Sequence, residues 1–192
     1  MTLLLSVLLL FAPVKVERAR FNISKDGRRI GTDEFTIGKK GSNYTLEGKA
    51  TIADVTMSSK MELDEKLVPI SYEVSNQAGK IKITVAQPTS QIQTTVGNDS
   101  TSTDFRFPAG AAILDNNLFH HYVILLYRAQ MGETSIPIVV PSDMSIGSAV
   151  IRSTGPRSYD LQIGDVKMQA TTDADGSLIK LTVPGANVVV ER

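Results

Sequence analysis

Asp115-Asn-Asn-Leu-Phe-His-His-Tyr-Val-Ile-Leu-Leu-Tyr-Arg-Ala-Gln-Met-Gly132 is the stretch on which the fold turns. Between Asn117 and Met131 it has neither glycine nor proline. Asp115 is a good N-cap, and Gly132 supplies a stop. On a helical wheel Leu118, Phe119, Tyr122, Val123, Leu125, Leu126 and Ala129 fill one arc of about 160°. Asn117, His120, His121 and Arg128 gather opposite, interrupted by Ile124 and Met131. The spacing predicts one apolar helix from Asp115 to about Met131, roughly 23 Å long, the span of a seven-residue strand. Such a helix needs a broad apolar surface to lie on.

The flanking sequence offers that surface. From Val16 to about Phe107 apolar and polar residues alternate with period two: Phe21 and Ile23 between Arg20 and Asn22, Phe35 and Ile37 beside Glu34 and Thr36, Ile81 and Ile83 beside Lys80 and Lys82. Period two means strands with one covered and one wet face. Turn residues separate the runs at Asp26-Gly27, Gly41-Ser42-Asn43, Gln77-Ala78-Gly79 and Gly97-Asn98-Asp99. Short turns join neighbours, so the strands form a meander. Tyr44 to Leu63 switches its apolar register, and a bulge or corner near Ala53-Asp54 would restore the facing and curve the sheet. Thr89 to Asp104, poor in apolar anchors, reads as a mobile hairpin or loop.

After the helix, Ile136-Pro-Ile-Val-Val-Pro141 suits an edge strand because of its prolines. Val150-Ile151, Tyr159 to Ile163 and Val166 to Ala170 continue the meander, and the last hairpin turns at Asp173-Ala-Asp-Gly176. The expected fold class is mainly β (α+β), a curved antiparallel meander or half-barrel of about 9–11 strands wrapped on the helix.

Twenty basic and twenty acidic residues cancel. Without a concentrated positive surface, nucleic-acid binding is not expected. There is no cysteine, which excludes disulfides, thiolate catalysis and Cys-based metal sites. Leu3 to Phe11 is a short apolar run, too short to cross a bilayer core of about 30 Å but suited to a signal-peptide core. Residues 1–14 therefore read as an export segment and 15–192 as a single domain, periplasmic or secreted.

Three features resemble a group of bacterial exported proteins of unknown function and, through them, the periplasmic lipoprotein-carrier (Lol-type) fold. They are the Phe21 to Gly31 hairpin (F-x-I-x-x-D-G-x-x-I-G), the Leu114-Asp-Asn-Asn117 opening of the helix, and the closing Asp173-Ala-Asp-Gly-Ser-Leu178 hairpin. The resemblance implies a half-barrel wrapped on a helix, often holding a hydrophobic ligand. It transfers no individual site residue.

No catalytic motif emerges. His120 and His121 are adjacent, so on a helix they point about 100° apart and cannot jointly chelate one ion in the usual i, i+4 way. They are expected on the polar side of the helix, facing a loop or solvent. Asp173-x-Asp175-Gly176 lacks the later ligands of a calcium loop. Asp33-Glu34 and Asp64-Glu65 read as solvated charges at strand ends. Neither metal nor cofactor is called for.

Methionine and aromatic residues adapt to apolar ligands. If helix and sheet do not close fully, Phe21, Phe35, Tyr44, Met57, Met61, Phe119, Tyr122 and Leu126 would line the gap. The expected function is a non-catalytic carrier or binder of a hydrophobic small molecule or lipid, such as acyl chains or a lipidated partner. Peripheral contact with a membrane is compatible with this, and nothing in the sequence sets an oligomeric state. The alternatives are an envelope scaffold or interaction module with a filled core, and an enzyme using His120 or His121.

Overall fold

A computed structural model describes residues 14–192. All but the last position of the expected export segment, residues 1–14, lies outside the described residues.

The first half of the chain forms eight strands: β1 (Glu17–Lys25), β2 (Arg28–Lys40), β3 (Asn43–Ile52), β4 (Val55–Leu63), β5 (Pro69–Asn76), β6 (Gly79–Thr84), β7 (Ser90–Val96) and β8 (Asp99–Phe105). A two-residue strand, β9 (Ala112–Ile113), precedes the helix α1 (His121–Gln130). The second half is β10 (Ser135–Val140), β11 (Ser145–Gly155), β12 (Ser158–Ile163), β13 (Val166–Thr172), β14 (Leu178–Val183), a 3-10 turn at Pro184–Ala186, and β15 (Val188–Glu191).

All fifteen strands belong to one open sheet, ordered β8-β7-β6-β5-β4-β3-β2-β1-β15-β14-β13-β12-β11-β10-β9. The first and last strands pair at its centre, and each half meanders outward from that seam. Every pairing is antiparallel except that of β9 with β10. The sheet rolls on itself, so that β9 at one end touches both α1 and β5.

The meander and its hairpin turns agree with the period-two reading, but there are more strands than the 9–11 expected. One reason is the Tyr44 to Leu63 stretch, which is not a bent strand with a bulge. Ala53 and Asp54 both take positive φ, at 47° and 70°, and make a two-residue turn with Ile52 opposite Val55. That turn matches the right-handed twist of two neighbouring strands. Likewise residues 90–105 are a regular hairpin, with β8 at the sheet's outer edge.

Two corrections concern the middle of the chain. Strand β10 is not an edge: β9 flanks it on one side and β11 on the other. Ile136, Ile138 and Val139 are all buried, as expected where the rolled sheet covers both faces. The helix is also shorter than Asp115 to Met131. It comprises ten residues, about 15 Å, and is not the long helix expected. Asn117 takes a left-handed φ of 65°, which an α-helix cannot include, and Asp115 turns its carboxylate to the Tyr72 hydroxyl. The helix begins after His120, without a side-chain cap.

Because the sheet rolls around it, α1 is covered on nearly every side. His121, Val123, Ile124, Leu125, Leu126, Tyr127 and Arg128 are all buried. The two histidines are therefore not on a solvent-facing side, contrary to the wheel. Both are sealed, at 0% and 1% exposure.

Candidate functional site

Two arrangements stand out: a polar cluster locking the helix to the sheet, and an apolar groove where the sheet splits.

The cluster grows from the alternation of three neighbouring strands. On β2 the inward positions run Asp33, Phe35, Ile37; on β3, Leu46, Gly48, Ala50; on β4, Met57, Ser59, Met61. The register sets Phe35 beside Gly48 and Gly48 beside Ser59, with Asp33 beside Ala50. His120 enters over this socket. A Cβ at Gly48 would overlap the His120 ring, so only glycine leaves room for it. The Phe35 ring lies nearly parallel to the imidazole, with centroids 6.2 Å apart.

Asp33 accepts two hydrogen bonds from His120: the backbone N–H to Oδ2 at 2.9 Å, and Nδ1–H to Oδ1 at 2.7 Å. A carboxylate only accepts, so the shared proton sits on Nδ1, and Nε2 on the other side of the ring meets the Ser59 hydroxyl at 2.8 Å. The order Ser Oγ, His Nε2, His Nδ1, Asp is that of a hydrolase triad. Yet Asp33 and His120 have no exposed surface and Ser59 only 7%. Its hydroxyl points inward, beneath the sheet. The arrangement works as a clamp: one carboxylate ties down both the start of α1 and the side chain beside it.

His121 forms a second layer. Its Nδ1 accepts from the Asp115 N–H at 3.1 Å, which puts the proton on Nε2, a buried donor without a partner among the described residues. Burial above all, then neighbouring His120, holds its pKa well below the usual histidine range, so the ring is neutral. Tyr72 packs edge-on to it and donates to Asp115 at 2.9 Å. Desolvation, reinforced by Asp115, keeps the Tyr72 phenol protonated.

The far end of α1 is also tied. Arg128 meets Glu133 through two parallel hydrogen bonds, Nε at 2.9 Å and Nη2 at 2.7 Å, and Nη2 donates to the Gly110 carbonyl. Gln130 donates to the Gly176 carbonyl at 2.8 Å.

The groove arises from an incomplete ladder. β12 pairs with β13 from Val166 onward, but β14 pairs with β13 only from Gln169. Beyond Val183 the chain leaves the ladder through the Pro184–Ala186 turn. Val166 to Met168 thus have a partner on one side only. A groove of about 830 Å³ lies there, lined by outward residues such as Lys167 and Gln169, by Leu161 and Met168, and by Val183 to Ala186. A second space of about 190 Å³ lies between the approach to α1 and the sheet, lined by Leu118, Phe119, Tyr122, Ile138, Ile163 and others. Val166 and Met168 line both.

The eight residues expected to line a ligand gap share one apolar core but do not line one common space. Phe21, Phe35, Tyr44, Met61 and Leu126 are buried in the core, where Phe21 stacks on Phe35 at 5.2 Å. Met57 is half-buried against it. Phe119 and Tyr122 alone of the eight line the smaller space, and burial pushes the Tyr122 pKa up to about 12, so its phenol is neutral there. Asp33, expected as a solvated charge at a strand end, is instead fully buried because it faces inward on β2 beneath His120; Gly48, Ser59 and the Val166–Met168 split were not anticipated.

Comparison of the chain with family models, with curated proteins and with solved structures finds no match, so its function has to be argued from this geometry.

Proposed function

We propose that this chain is an exported, non-catalytic binder of a hydrophobic ligand, and that an acyl chain or similar tail enters through the split beside β13. What carries the reading is that Val166 and Met168 line both the outer groove and the space at Phe119 and Tyr122. A volume of about 830 Å³ lies within the roughly 300–1,000 Å³ common for small-molecule sites, whereas 190 Å³ alone does not. Val166 is 49% exposed and pairs across the ladder with Ile163, which suits a rim that a ligand covers. The ligand site thus moves from the helix–sheet core to the sheet's split. The Lol-type resemblance agrees with an apolar ligand and with export.

The non-catalytic part rests on the sealing of Asp33 and His120, which gives a substrate no path to the imidazole.

Titration of the purified chain with dodecyl maltoside below its micelle concentration, followed by native mass spectrometry, tests the reading. One bound detergent that is lost in Val166→Asp is the expected result. No binding by the native chain would overturn it.

The filled core of Phe21, Phe35, Tyr44, Met61 and Leu126 favours a second reading, an envelope scaffold or interaction module. Self-association in light scattering with no detergent uptake would select it.

A further inference from the structure

On the outer face of β2 to β6 two ion pairs cross neighbouring strands, Lys60 with Glu47 at 2.8 Å and Lys80 with Glu73 at 2.7 Å, while Lys49, Glu62 and Lys82 make none among the described residues. The groove beside β13 gathers charges of both signs around apolar side chains. Arg152, Lys167, Asp160 and Asp165 line it, two of each sign, and among the described residues none of the four makes an ion pair. Arg152 and Asp160 face each other across β11 and β12 and still do not meet within ion-pair distance. Apolar side chains, Val150, Val166, Met168, Val183 and Pro184, lie within the same wall.

Mixed unpaired charge around an apolar groove restricts the head group of a bound amphiphile. A purely anionic head would gain from Arg152 and Lys167 but meet the two aspartates. A cationic head would face the reverse. A sugar head would use none of the four charges fully. A zwitterionic head matches both signs, its phosphate taking the cations and its ammonium the carboxylates.

We infer that the ligand is a zwitterionic phospholipid, its phosphate held by Arg152 and Lys167, its ammonium by Asp160 and Asp165, and its tail in the split at Val166 and Met168. This rests on the binder reading above and adds the head group. Solvent-exposed charge pairs contribute little each, so two of them together improve affinity about three- to tenfold.

The experiment compares three probes of equal chain length on the full chain by calorimetry below their micelle concentrations: dodecylphosphocholine, dodecyl maltoside and dodecyl phosphate. Dodecylphosphocholine binds tightest, and the double variant Arg152→Gln, Lys167→Gln brings its affinity down to that of dodecyl maltoside. Both side chains are exposed, so the fold tolerates the change. Equal affinity for all three probes overturns the head-group inference and leaves the binder standing. Tightest binding of dodecyl phosphate overturns it in favour of an anionic ligand. No binding of any probe overturns both.

Discussion

The Asp33 carboxylate grips His120 twice, at the ring Nδ1 and at the backbone N–H, so one side chain on β2 fixes both the position and the orientation of the helix start. Both groups are fully buried, and each bond to a charged acceptor out of water is strong. Asp33→Asn keeps the shape but turns one acceptor into a donor facing Nδ1–H or the amide. The expected loss is about 3 kcal/mol, a fall in melting temperature of roughly 6–12 °C for a chain of this size. Ser59→Ala removes one neutral partner and costs about 1 kcal/mol. Thermal and urea unfolding of both variants give the comparison. An Asn variant as stable as the native chain would show that the clamp contributes nothing.

Gly48 gives the clamp its room. Gly48→Ala pushes a methyl into the His120 ring, and overpacking of this kind costs about 1–3 kcal/mol. The penalty should largely vanish when His120 is itself alanine, because the methyl then enters vacated space. A double-mutant cycle measures this as coupling between the two positions. Additive effects would mean that Gly48 serves the strand's backbone and not the ring.

Much of the sheet was legible because alternation and turn residues depend on local chemistry alone. Asp26-Gly27 and Gly97-Asn98 turn where their composition says. The helix start was misread because Asp115 has the chemistry of an N-cap yet spends its carboxylate on Tyr72, a partner 43 residues away. The histidines were misplaced for a related reason. A wheel assumes one wet side, and a sheet that rolls around the helix leaves none. A signal for the clamp did exist: Asp33, Gly48 and Ser59 hold inward positions on three successive strands, where an apolar residue is the norm. Three such exceptions close together, Gly48 paired with Ser59 and Asp33 one inward position along from Phe35, mark a socket for a polar side chain from elsewhere. The split beside β13 left no comparable trace, since it depends on where β14 stops pairing.

His121 makes stability depend on pH. Its folded pKa lies well below the unfolded value of about 6.5, so in mild acid the unfolded chain binds a proton that the folded chain refuses. Its contribution is therefore intact above pH 6.5 and erodes as pH falls, approaching about 1.4 kcal/mol per pH unit until the folded pKa is reached. His121→Asn offers an oxygen near the place of Nδ1 for the Asp115 N–H and cannot titrate. Urea midpoints between pH 7.5 and 4.5 should fall less steeply for that variant. Parallel curves would place the acid sensitivity elsewhere.

Ser59, His120 and Asp33 pose the sharpest question about function, because their atoms are ordered as in a serine hydrolase. A nucleophile needs more than that order. Its hydroxyl must reach a substrate carbonyl, and hydrogen-bond donors must converge where the oxyanion forms. Ser59 Oγ instead points from the middle of β4 onto a ring covered by α1, and the strands beside it spend their N–H groups on the ladder. A fluorophosphonate reagent should therefore leave Ser59 unmodified in the folded chain, with peptide mass spectrometry as the readout. Because α1 is tied at both ends, at Asp33 and at Gly176, gentle warming below the unfolding transition should not expose it. A stoichiometric adduct on Ser59 that Asp33→Asn abolishes would reverse the conclusion: the clamp would then be an active site, and the helix above it a lid.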